Sequence, residues 1–552
     1  MCRGLPRGLL CARPGSRRDR GPAHGQKRMV APRLRCPYRT CDLPSPLGRA
    51  VFVSWFFIFA LLPKLLPMDD PQTSAYQPVI GLEIHVQLST RSKVFATEAF
   101  AFGGEPNTYV SPISLAHPGA LPSLNQACIE QVVKLGLATH CQIDRQGYFA
   151  RKNYFYPDLP KGYQLSQDQR PICYEGQVEV LQSDGSLKRV SLERIHLEED
   201  AGKSIHDLDP EESLIDLNRA GTGLAEVVTR PDLRSAEEAG ALLAEMRRLV
   251  RYIGVSDANM EQGNLRCDAN VSIMPVGAEA YGTRVEIKNL NSITHLMRAI
   301  EHEIARQVRT VESGGTIVQE TRTWDPVSQQ TLPMRGKEMA ADYRYFPEPD
   351  LLPLDLSEDL LHDLAASLPE LPQARFQRYV AAGIPVNESF TLIEQRAFSD
   401  YFEALQRQSG DPKTAANWLL GPVRTYLNAE GIEIADFPVP PQAIAALMAL
   451  VEEGQVSLPA AREQVFPALI AAPETAPQAL AQRLEVMMES QAGELASAMA
   501  ALMAAHPDEV ARFRAGKKQL HGFFVGQLMR QFRGKADPKE VNEVVRQKLT
   551  AS

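Results

Sequence analysis

Acidic residues and one histidine alternate with apolar residues in several short segments of this 552-residue chain. Glu83 and His85 are separated by one residue, and Glu198, Asp268 and Glu286 have similar settings further along. Crowded carboxylates repel one another unless a cation neutralises them. Carboxylate oxygens with a few nitrogens suit Mg²⁺, which is commonly shared with phosphate oxygens. The pattern therefore favours a Mg²⁺ site that handles phosphate.

The elements that must position these residues are four predicted strands, 79–89, 191–200, 266–273 and 283–288. In a strand, residues two apart share a face with Cα atoms roughly 6.5–7 Å apart. The polar face of the last strand also carries Lys288, which we include with the five acidic and histidine residues as a catalytic candidate. For any single strand the alternative is a half-buried sheet with one solvated face. The sequence does not show whether the four strands are neighbours.

Familiar nucleotide and nucleophile motifs are missing. Ala201-Gly202-Lys203-Ser204 resembles the end of a phosphate-binding loop, but Leu197 stands where that motif needs glycine. No G-x-S-x-G or S-x-x-K pattern is evident, which argues against an amidase. We expect any ATP chemistry to use the acidic strand face.

The composition predicts an α+β protein with three domains. Residues 76–355 have the short β-branched runs and turn residues of strands, and the chain from about Leu360 has the Ala- and Leu-rich spacing of helices. We predict a leader over 1–67, a β-rich catalytic cradle domain with a mostly antiparallel sheet over 68–360, a helical domain over 361–475 and a helical tail domain over 476–552.

The charge is unevenly distributed. The net charge is −8, yet residues 1–67 contain 13 Lys and Arg against two Asp, and the rest of the chain has 46 basic and 65 acidic residues. A nucleic-acid partner would therefore have to be held by local basic patches. The cysteines outside the leader are widely spaced without a C-x-x-C pair, which favours a reducing, cytoplasmic location.

The first 67 residues allow three interpretations: a secretory signal, a mitochondrial transit peptide, or a translated upstream stretch with Met68 as the true start. Their apolar run Val51–Leu62 is shorter than the ~20 residues that span a bilayer. We favour Met68 as the start and expect no membrane attachment.

Seven long stretches resemble the B subunit of the glutamine-dependent aspartyl/glutamyl-tRNA amidotransferases, the GatB family. They are VIGLEIHVQL (79–88), RKNYFYPDLPKGYQLSQ (151–167), HLEEDAGKS (196–204), DLNRAGTGLAEVV (216–228), GNLRCDANVSI (263–273), EIKNLNS (286–292) and DYRYFPEPDLLPL (342–354). The resemblance extends along nearly the whole chain after the leader.

The resemblance implies a ligase that acts as a heterotrimer, in which the A subunit is an amidase and the C subunit is a small protein. The B subunit of this family phosphorylates, with ATP, the side-chain carboxylate of Glu-tRNA(Gln) or Asp-tRNA(Asn), and ammonia from the amidase then displaces phosphate. The family's Mg²⁺-dependent site matches the five acidic and histidine positions named above. We expect Lys203 and Arg151 to contact phosphate, with surface ion pairs as the alternative. Tyr154, Tyr156 and Tyr163 either stack on the terminal adenosine of tRNA or pack within their loop.

The C-terminal tail is the predicted tRNA contact. Between residues 512 and 548 there are ten Lys and Arg against three acidic residues. The tRNA-binding candidates are Lys517, Lys518, Arg530, Arg533 and Lys535. A solvated helix face is the alternative. Within this region 522–526, GFFVG, is expected to form a packed turn between helices.

Two departures from related sequences narrow the prediction. Many members have a zinc-binding C-x-x-C where this chain has Ser111-Pro112-Ile113-Ser114, so we expect no zinc. The inserted domain of the archaeal relative specific for Glu-tRNA is missing, which favours the bacterial type that takes either misacylated tRNA. The alternatives are a non-catalytic tRNA-binding scaffold of the same complex and an independent metallohydrolase.

Overall fold

The structure is a computed structural model that describes residues 10–12, 75–167, 169–182, 186–206, 208–209, 211–334, 343–488, 492–532, 536 and 538–550. These residues form two compact units that divide between Arg375 and Phe376. The predicted leader lies outside the described residues apart from Leu10–Ala12, so its interpretation stays a prediction.

The first unit contains three sheets. Its strands are β1 (Leu10–Ala12), β2 (Tyr76–Gln87), β3 (Gln142–Ile143), β4 (Ala150–Asn153), β5 (Tyr163–Ser166), β6 (Cys173–Leu181), β7 (Leu187–Glu199), β8 (Lys203–Ile205), β9 (Ser213–Asp216), β10 (Gly223–Thr229), β11 (Leu265–Pro275), β12 (Val285–Leu290), β13 (Thr321–Asp325), β14 (Gln330–Pro333) and β15 (Phe346–Pro347). The largest sheet has the order β14-β13-β12-β11-β2-β10-β7-β6-β3, and every pair except β12–β13 is antiparallel. Two small sheets have the orders β15-β4-β5 and β1-β9-β8.

Three long helices pack against the apolar side of the large sheet. They are α1 (Gln126–Ala138), α2 (Ala236–Tyr252) and α3 (Ile293–Glu312). The side chains of Ser235 and Ser292 accept hydrogen bonds from the third residue of α2 and of α3, which satisfies an otherwise unpaired amide at each start. The sequence prediction of strands and turns for this stretch missed these helices. They form the hydrophobic core with one side of the sheet, and the polar side chains lie on the other side.

The second unit is helical. α4 (Glu358–Ala366) still belongs to the first unit, and α5 (Pro372–Ala381) crosses the division. The α-helices that follow are α6 (Val386–Leu392), α7 (Arg396–Ser409), α8 (Pro412–Trp418), α9 (Arg424–Glu430), α10 (Pro441–Glu452), α11 (Leu458–Ala460), α12 (Phe466–Ala471), α13 (Pro477–Arg483), α14 (Ala492–Ala505), α15 (Pro507–Arg514), α16 (Leu520–Gln531) and α17 (Pro538–Thr550). Leu419–Val423 and Ala461–Val465 are π-helical, and Ile434–Asp436 is a 3₁₀ helix. The predicted α+β class, a mostly antiparallel sheet followed by helices, is confirmed.

The last four helices enclose a small core of their own. The predicted turn at 522–526 is wrong, because these residues lie within α16. Phe524 and Leu528 are four residues apart and both fully buried, so the packing of this helical stripe outweighs the helix-weakening effect of Gly522 and Gly526. Among the described residues, no helix is long and apolar enough to cross a membrane.

Candidate active site on the polar face of the large sheet

The polar face of the large sheet collects acidic side chains from five consecutive strands, β12, β11, β2, β10 and β7. Asp268 is directly opposite Glu83 in the β11–β2 pairing, and Glu226 is opposite His85 in the β10–β2 pairing. The four strands predicted from alternation are all present. The fifth, β10, lies between β2 and β7 and was not predicted to carry a site residue.

One group of acidic side chains consists of Glu83, Asp268 and Glu286. One carboxylate oxygen from each lies within 4.8 Å of the others. The ammonium of Lys288 lies 2.7 Å from Asp268 Oδ2 and 2.8 Å from Glu286 Oε1, and Asn270 Nδ2 donates to Glu83 Oε1 at 2.9 Å. Here the lysine supplies the positive charge that a group of three carboxylates needs. We call these three acidic residues the carboxylate cluster.

A second group consists of His85, Glu198 and Glu226, and its ligand atoms likewise lie within 4.8 Å of one another. His85 Nε2 is 3.6 Å from Glu226 Oε2 and 3.9 Å from Glu198 Oε1. His196 Nε2 lies 3.3 Å from Glu226 Oε2 on the other side. We call the first three residues the histidine cluster. The predicted five-residue set is thus distributed over two adjacent groups, and Glu226 completes the second.

Burial and like charges shape the protonation of this face. Burial raises the pKa of Glu83 above its ordinary value, and the negative charges of Glu226 and Glu286 add to the rise. Burial lowers the pKa of His196, but the charges and hydrogen bonds of Glu226 and Glu198 outweigh it and bring the value to about 9. The pKa of Glu226 is well below its usual range because the two imidazoles outweigh its burial. The negative charges of the carboxylates on this face are therefore offset by the positively charged side chains beside them.

An arginine adjoins the histidine cluster. Arg266 is opposite His85 in the β11–β2 pairing, and its terminal nitrogen donates to Asp200 Oδ2 at 2.7 Å. Arg219 Nε approaches the same oxygen at 3.3 Å. Arg266 Nε is buried without a hydrogen-bond partner among the described residues. The guanidinium thus has hydrogen-bonding capacity left for an anion.

The residues present fit Mg²⁺. The carboxylate cluster offers three hard oxygen donors, which is the type of ligand that this ion prefers. In the histidine cluster Glu198 Oε2 is buried and has no hydrogen-bond partner within the described part of the chain, and its ion-pair partner His196 Nε2 lies 3.7 Å away. A buried carboxylate oxygen without a hydrogen bond leaves a ligand position for a cation. Either group therefore has the chemistry of a divalent-cation site.

Arg151 and Lys203, predicted to contact phosphate, lie on strands of the two small sheets and not on the large sheet that carries the clusters. Arg151 on β4 donates two hydrogen bonds of 2.7 Å to the buried carboxylate of Glu348, and its guanidinium lies 4.4 Å from the ring centre of Tyr163. Lys203 is exposed on β8, paired in register with Asp216. Their phosphate contacts stay predictions.

Ser114, in the segment where many relatives have a zinc-binding C-x-x-C, takes part in a polar network. The hydroxyl of Ser114 donates to Glu98 Oε1, and the buried ammonium of Lys93 lies 3.4 Å from the same oxygen. Lys93 also donates to the carbonyl oxygen of Tyr109 at 2.7 Å. This network joins the residues around 93–98 to those around 109–114. The expected lack of zinc stays a prediction.

Three of the tail residues predicted to bind tRNA belong to the described part of the chain. Lys517 and Lys518 are exposed between α15 and α16, and Arg530 is exposed near the end of α16. Arg533 and Lys535 lie outside the described residues. The three described side chains are available to a ligand in solution.

Two family profiles match this chain. One, described as "GatB/GatE catalytic domain", matches residues 78–362, and one described as "GatB domain" matches residues 400–549. The chain belongs to the GatB family. The first match includes every residue of both clusters, so the clusters lie inside the segment described as catalytic.

Relatives in bacteria agree with this assignment. The B subunit of the aspartyl/glutamyl-tRNA(Asn/Gln) amidotransferase of Chlorobium phaeobacteroides (strain BS1) is 48% identical over 476 residues, which are 86% of this chain and 99% of the relative. The protein of the same name from Geotalea uraniireducens (strain Rf4) is 48% identical over 478 residues, with the same two shares. That of Syntrophotalea carbinolica (strain DSM 2380 / NBRC 103641 / GraBd1) is 45% identical over 479 residues, which are 87% of this chain and 99% of the relative. The resemblance to the GatB family seen in the sequence is confirmed.

Three residues of the site were not singled out by the sequence pattern. Glu226 is the single acid of a strand whose other residues are mostly buried and apolar, so β10 lacks clear alternation. His196 lies two residues before Glu198, and Arg266 lies two residues before Asp268, so alternation places each on the same strand face as its acidic neighbour. The sequence pattern could therefore have identified both residues.

Proposed function

We propose that this GatB-family chain is the B subunit of a glutamine-dependent Asp/Glu-tRNA amidotransferase. It phosphorylates the side-chain carboxylate of Glu-tRNA(Gln) or Asp-tRNA(Asn) with ATP and promotes amidation by ammonia. Its partners are the A subunit, which is an amidase that releases the ammonia from glutamine, and the small C subunit. The complex works in the cytoplasm, and Mg²⁺ is the required cation.

The observation that carries the proposal is the pair of acidic clusters within the segment matched as a catalytic domain. Glu83, Asp268 and Glu286 would hold one cation, and His85, Glu198 and Glu226 a second. Bound there, Mg²⁺ supplies neutralisation of phosphate oxygens during transfer.

The reaction needs an activated carboxylate because a carboxylate ion is a poor electrophile. An oxygen of the substrate carboxylate forms a bond to the γ-phosphorus of ATP, the bond to the β–γ bridging oxygen breaks, and ADP leaves. Ammonia then attacks the carbonyl carbon of the acyl phosphate, phosphate leaves with the bonding electrons, and one proton of the nitrogen is lost. The products are the amide, ADP and phosphate.

The chain's own side chains have distinct parts in this scheme. Arg266, with an unpaired buried Nε among the described residues, is suited to hold a phosphate oxygen near the histidine cluster. Lys288, whose ammonium pairs with Asp268 and Glu286, would hold a phosphate oxygen beside the carboxylate cluster. Asn270, bonded to Glu83, keeps that carboxylate oriented towards the cluster.

The test is conversion of each misacylated tRNA by the complex of this chain with its A and C subunits, followed with and without ATP, glutamine and Mg²⁺. Glu198→Gln and Asp268→Asn should each abolish ATP-dependent conversion and leave tRNA affinity within about twofold. A matched control is Glu193→Gln, which removes an exposed carboxylate from the same strand as Glu198 and should keep full activity.

The outcomes separate the proposal from its alternative. Full conversion by both site variants would contradict a catalytic acidic face and support the non-catalytic scaffold. Loss of conversion together with loss of ATP cleavage by the tRNA-bound complex supports phosphorylation on this chain.

A further inference from the structure

The polar face of the large sheet continues onto a sixth strand, β13, which carries no member of either cluster. In β13 Arg322 and Trp324 are buried, and the residues that alternate with them are partly exposed. The strand runs parallel to β12, and Thr321 pairs in register with Glu286. Since residues paired in register lie on the same face of a sheet, the side chain of Thr321 lies on the face of the carboxylate cluster.

Thr321 holds one oxygen of a cluster carboxylate. Its Oγ1 donates a hydrogen bond of 2.7 Å to Glu286 Oε2, and the direction is fixed because an ionised carboxylate can only accept. The other oxygen of the same group, Oε1, lies 2.8 Å from the ammonium of Lys288. A hydrogen bond to one oxygen of a carboxylate that binds a metal sets the direction in which the group points, and loss of such a partner weakens metal binding.

Each carboxylate of the cluster accepts a hydrogen bond from a side chain on this face. The pairs are Asn270 with Glu83, Lys288 with Asp268, and Thr321 with Glu286. The first two donors lie on strands that also carry an acid of the cluster, β11 and β12, whereas Thr321 comes from a strand that carries none. The position of its hydroxyl therefore depends on how β13 is held.

Strand β13 is held from its buried side. The terminal nitrogen of Arg322 donates to Thr331 O on β14 at 2.7 Å, and its Nε lies 3.6 Å from Glu303 Oε2 on α3. The side chain of Glu303 is fully buried, and Thr331 Oγ1 donates to the same oxygen at 2.9 Å. The backbone at Thr321 is thus tied to both β14 and α3. Because its side chain is β-branched, it also has few rotamers to choose from.

We propose that Thr321 is a positioning residue of the cation site, whose hydroxyl holds the Glu286 carboxylate in the orientation that binds a divalent cation. This rests on the proposed function, in which the carboxylate cluster holds such a cation. The effect of Thr321 on the cation is exerted through Glu286.

The experiment measures Mn²⁺ binding by titration calorimetry on the complete complex with the A and C subunits. Glu198→Gln is introduced first, because it disables the histidine cluster and leaves the carboxylate cluster to be measured. In that complex Thr321→Val keeps the branched shape, removes the hydroxyl and should weaken Mn²⁺ binding about 10- to 100-fold. Thr321→Ser keeps the hydroxyl and should retain most of the affinity.

Two controls separate positioning from general damage. Thr323→Val removes a hydroxyl from the same strand and face, in register with Lys288 instead of Glu286, and should leave Mn²⁺ affinity unchanged. Asp268→Asn gives the opposite starting complex, in which the histidine cluster remains to be measured. Adding Thr321→Val there should not change the Mn²⁺ affinity, because the hydroxyl acts on the other cluster.

Each other result has a definite meaning. In the Glu198→Gln complex, equal Mn²⁺ affinity with and without Thr321→Val would overturn the positioning role and leave the cation site intact. Weaker binding in both starting complexes, or no recovery with Thr321→Ser, would mean that Thr321 supports the fold rather than Glu286, and the proposal fails. A Glu198→Gln complex that binds no Mn²⁺ would overturn the cation site of the proposed function as well. If the expected pattern is found but the unaltered complex does not amidate misacylated tRNA, the positioning role stands and the proposed function fails.

Discussion

Replacement of Arg151 by methionine separates a stabilising role for this residue from the phosphate-binding role suggested by the sequence. The side chain of Glu348 is 0% exposed and that of Arg151 is 22% exposed, and two hydrogen bonds join them. Removing one partner of such a buried pair leaves the other charge uncompensated, at a cost of about 3–5 kcal/mol. The second ion pair of Arg151, with the exposed Asp350 at 3.6 Å, adds little.

The loss should be seen as faster amide hydrogen exchange in β4, β5 and β15. At neutral pH, about 3–5 kcal/mol corresponds to roughly 150- to 5,000-fold faster exchange where local opening governs it. Arg189→Met is the control, since its pair with Glu179 is exposed and should contribute about 0–1 kcal/mol. Unchanged protection in Arg151→Met, with a higher KM for ATP, would refute the stabilising role and restore the phosphate contact.

The loss of stability caused by Arg151→Met should depend on pH. Burial raises the pKa of Glu348, but its hydrogen bond to Arg151 and the charge of Arg151 outweigh this, so the pKa lies below its ordinary value. A depressed folded-state pKa contributes stability that is present above the unfolded value of about 4.3 and is lost as the pH falls through the folded value. The difference between Arg151→Met and the unaltered protein should therefore shrink in acid, and a constant difference down to about pH 3 would contradict it.

Three further predictions concern the cations of the site and tail. Lys288→Met should strengthen Mn²⁺ binding at the carboxylate cluster by about tenfold or more, because the competing ammonium is gone. The variant should also amidate more slowly. An unchanged Mn²⁺ affinity in titration calorimetry would count against this prediction. Arg266→Gln should lower kcat for ATP-dependent amidation by about 10²-fold or more with tRNA affinity retained, whereas a pure rise in the KM for tRNA would contradict phosphate binding. Lys517→Glu with Lys518→Glu should weaken tRNA binding and reduce the slope of log K against log salt by about two, leaving glutaminase activity intact; an unchanged slope would refute the tail contact.

Much of the site could be predicted because β2 and β11 alternate between buried and partly exposed residues where they carry the site. In these two strands the apolar side chains pack on helices and the polar side chains lie on the opposite face. Alternation in the sequence therefore identifies Glu83, His85 and Asp268 directly. The α+β class followed from the change in composition, and the seven stretches identified the family.

The rest depended on pairing between distant segments, which no local pattern records. Glu226 lies on a central strand that is buried on both sides, so its neighbours in sequence are almost all apolar and the alternation disappears. The division of the predicted set into two clusters follows from the insertion of β10 between β2 and β7. Arg151 fits a phosphate ligand in sequence, and only the fold brings Glu348 to it across 197 residues.

The central position of β2 has a consequence for how the protein is made. Its two neighbours, β10 and β11, end at Thr229 and Pro275, well over a hundred residues after β2 leaves the ribosome. Until then β2 is an apolar segment with both edges unpaired, which is the kind of segment that aggregates or pairs wrongly. Pairings this far apart in sequence also close slowly. The strand that carries Glu83 and His85 therefore waits for both of its partners, and the histidine cluster forms only after β10 has been made and the carboxylate cluster only after β12.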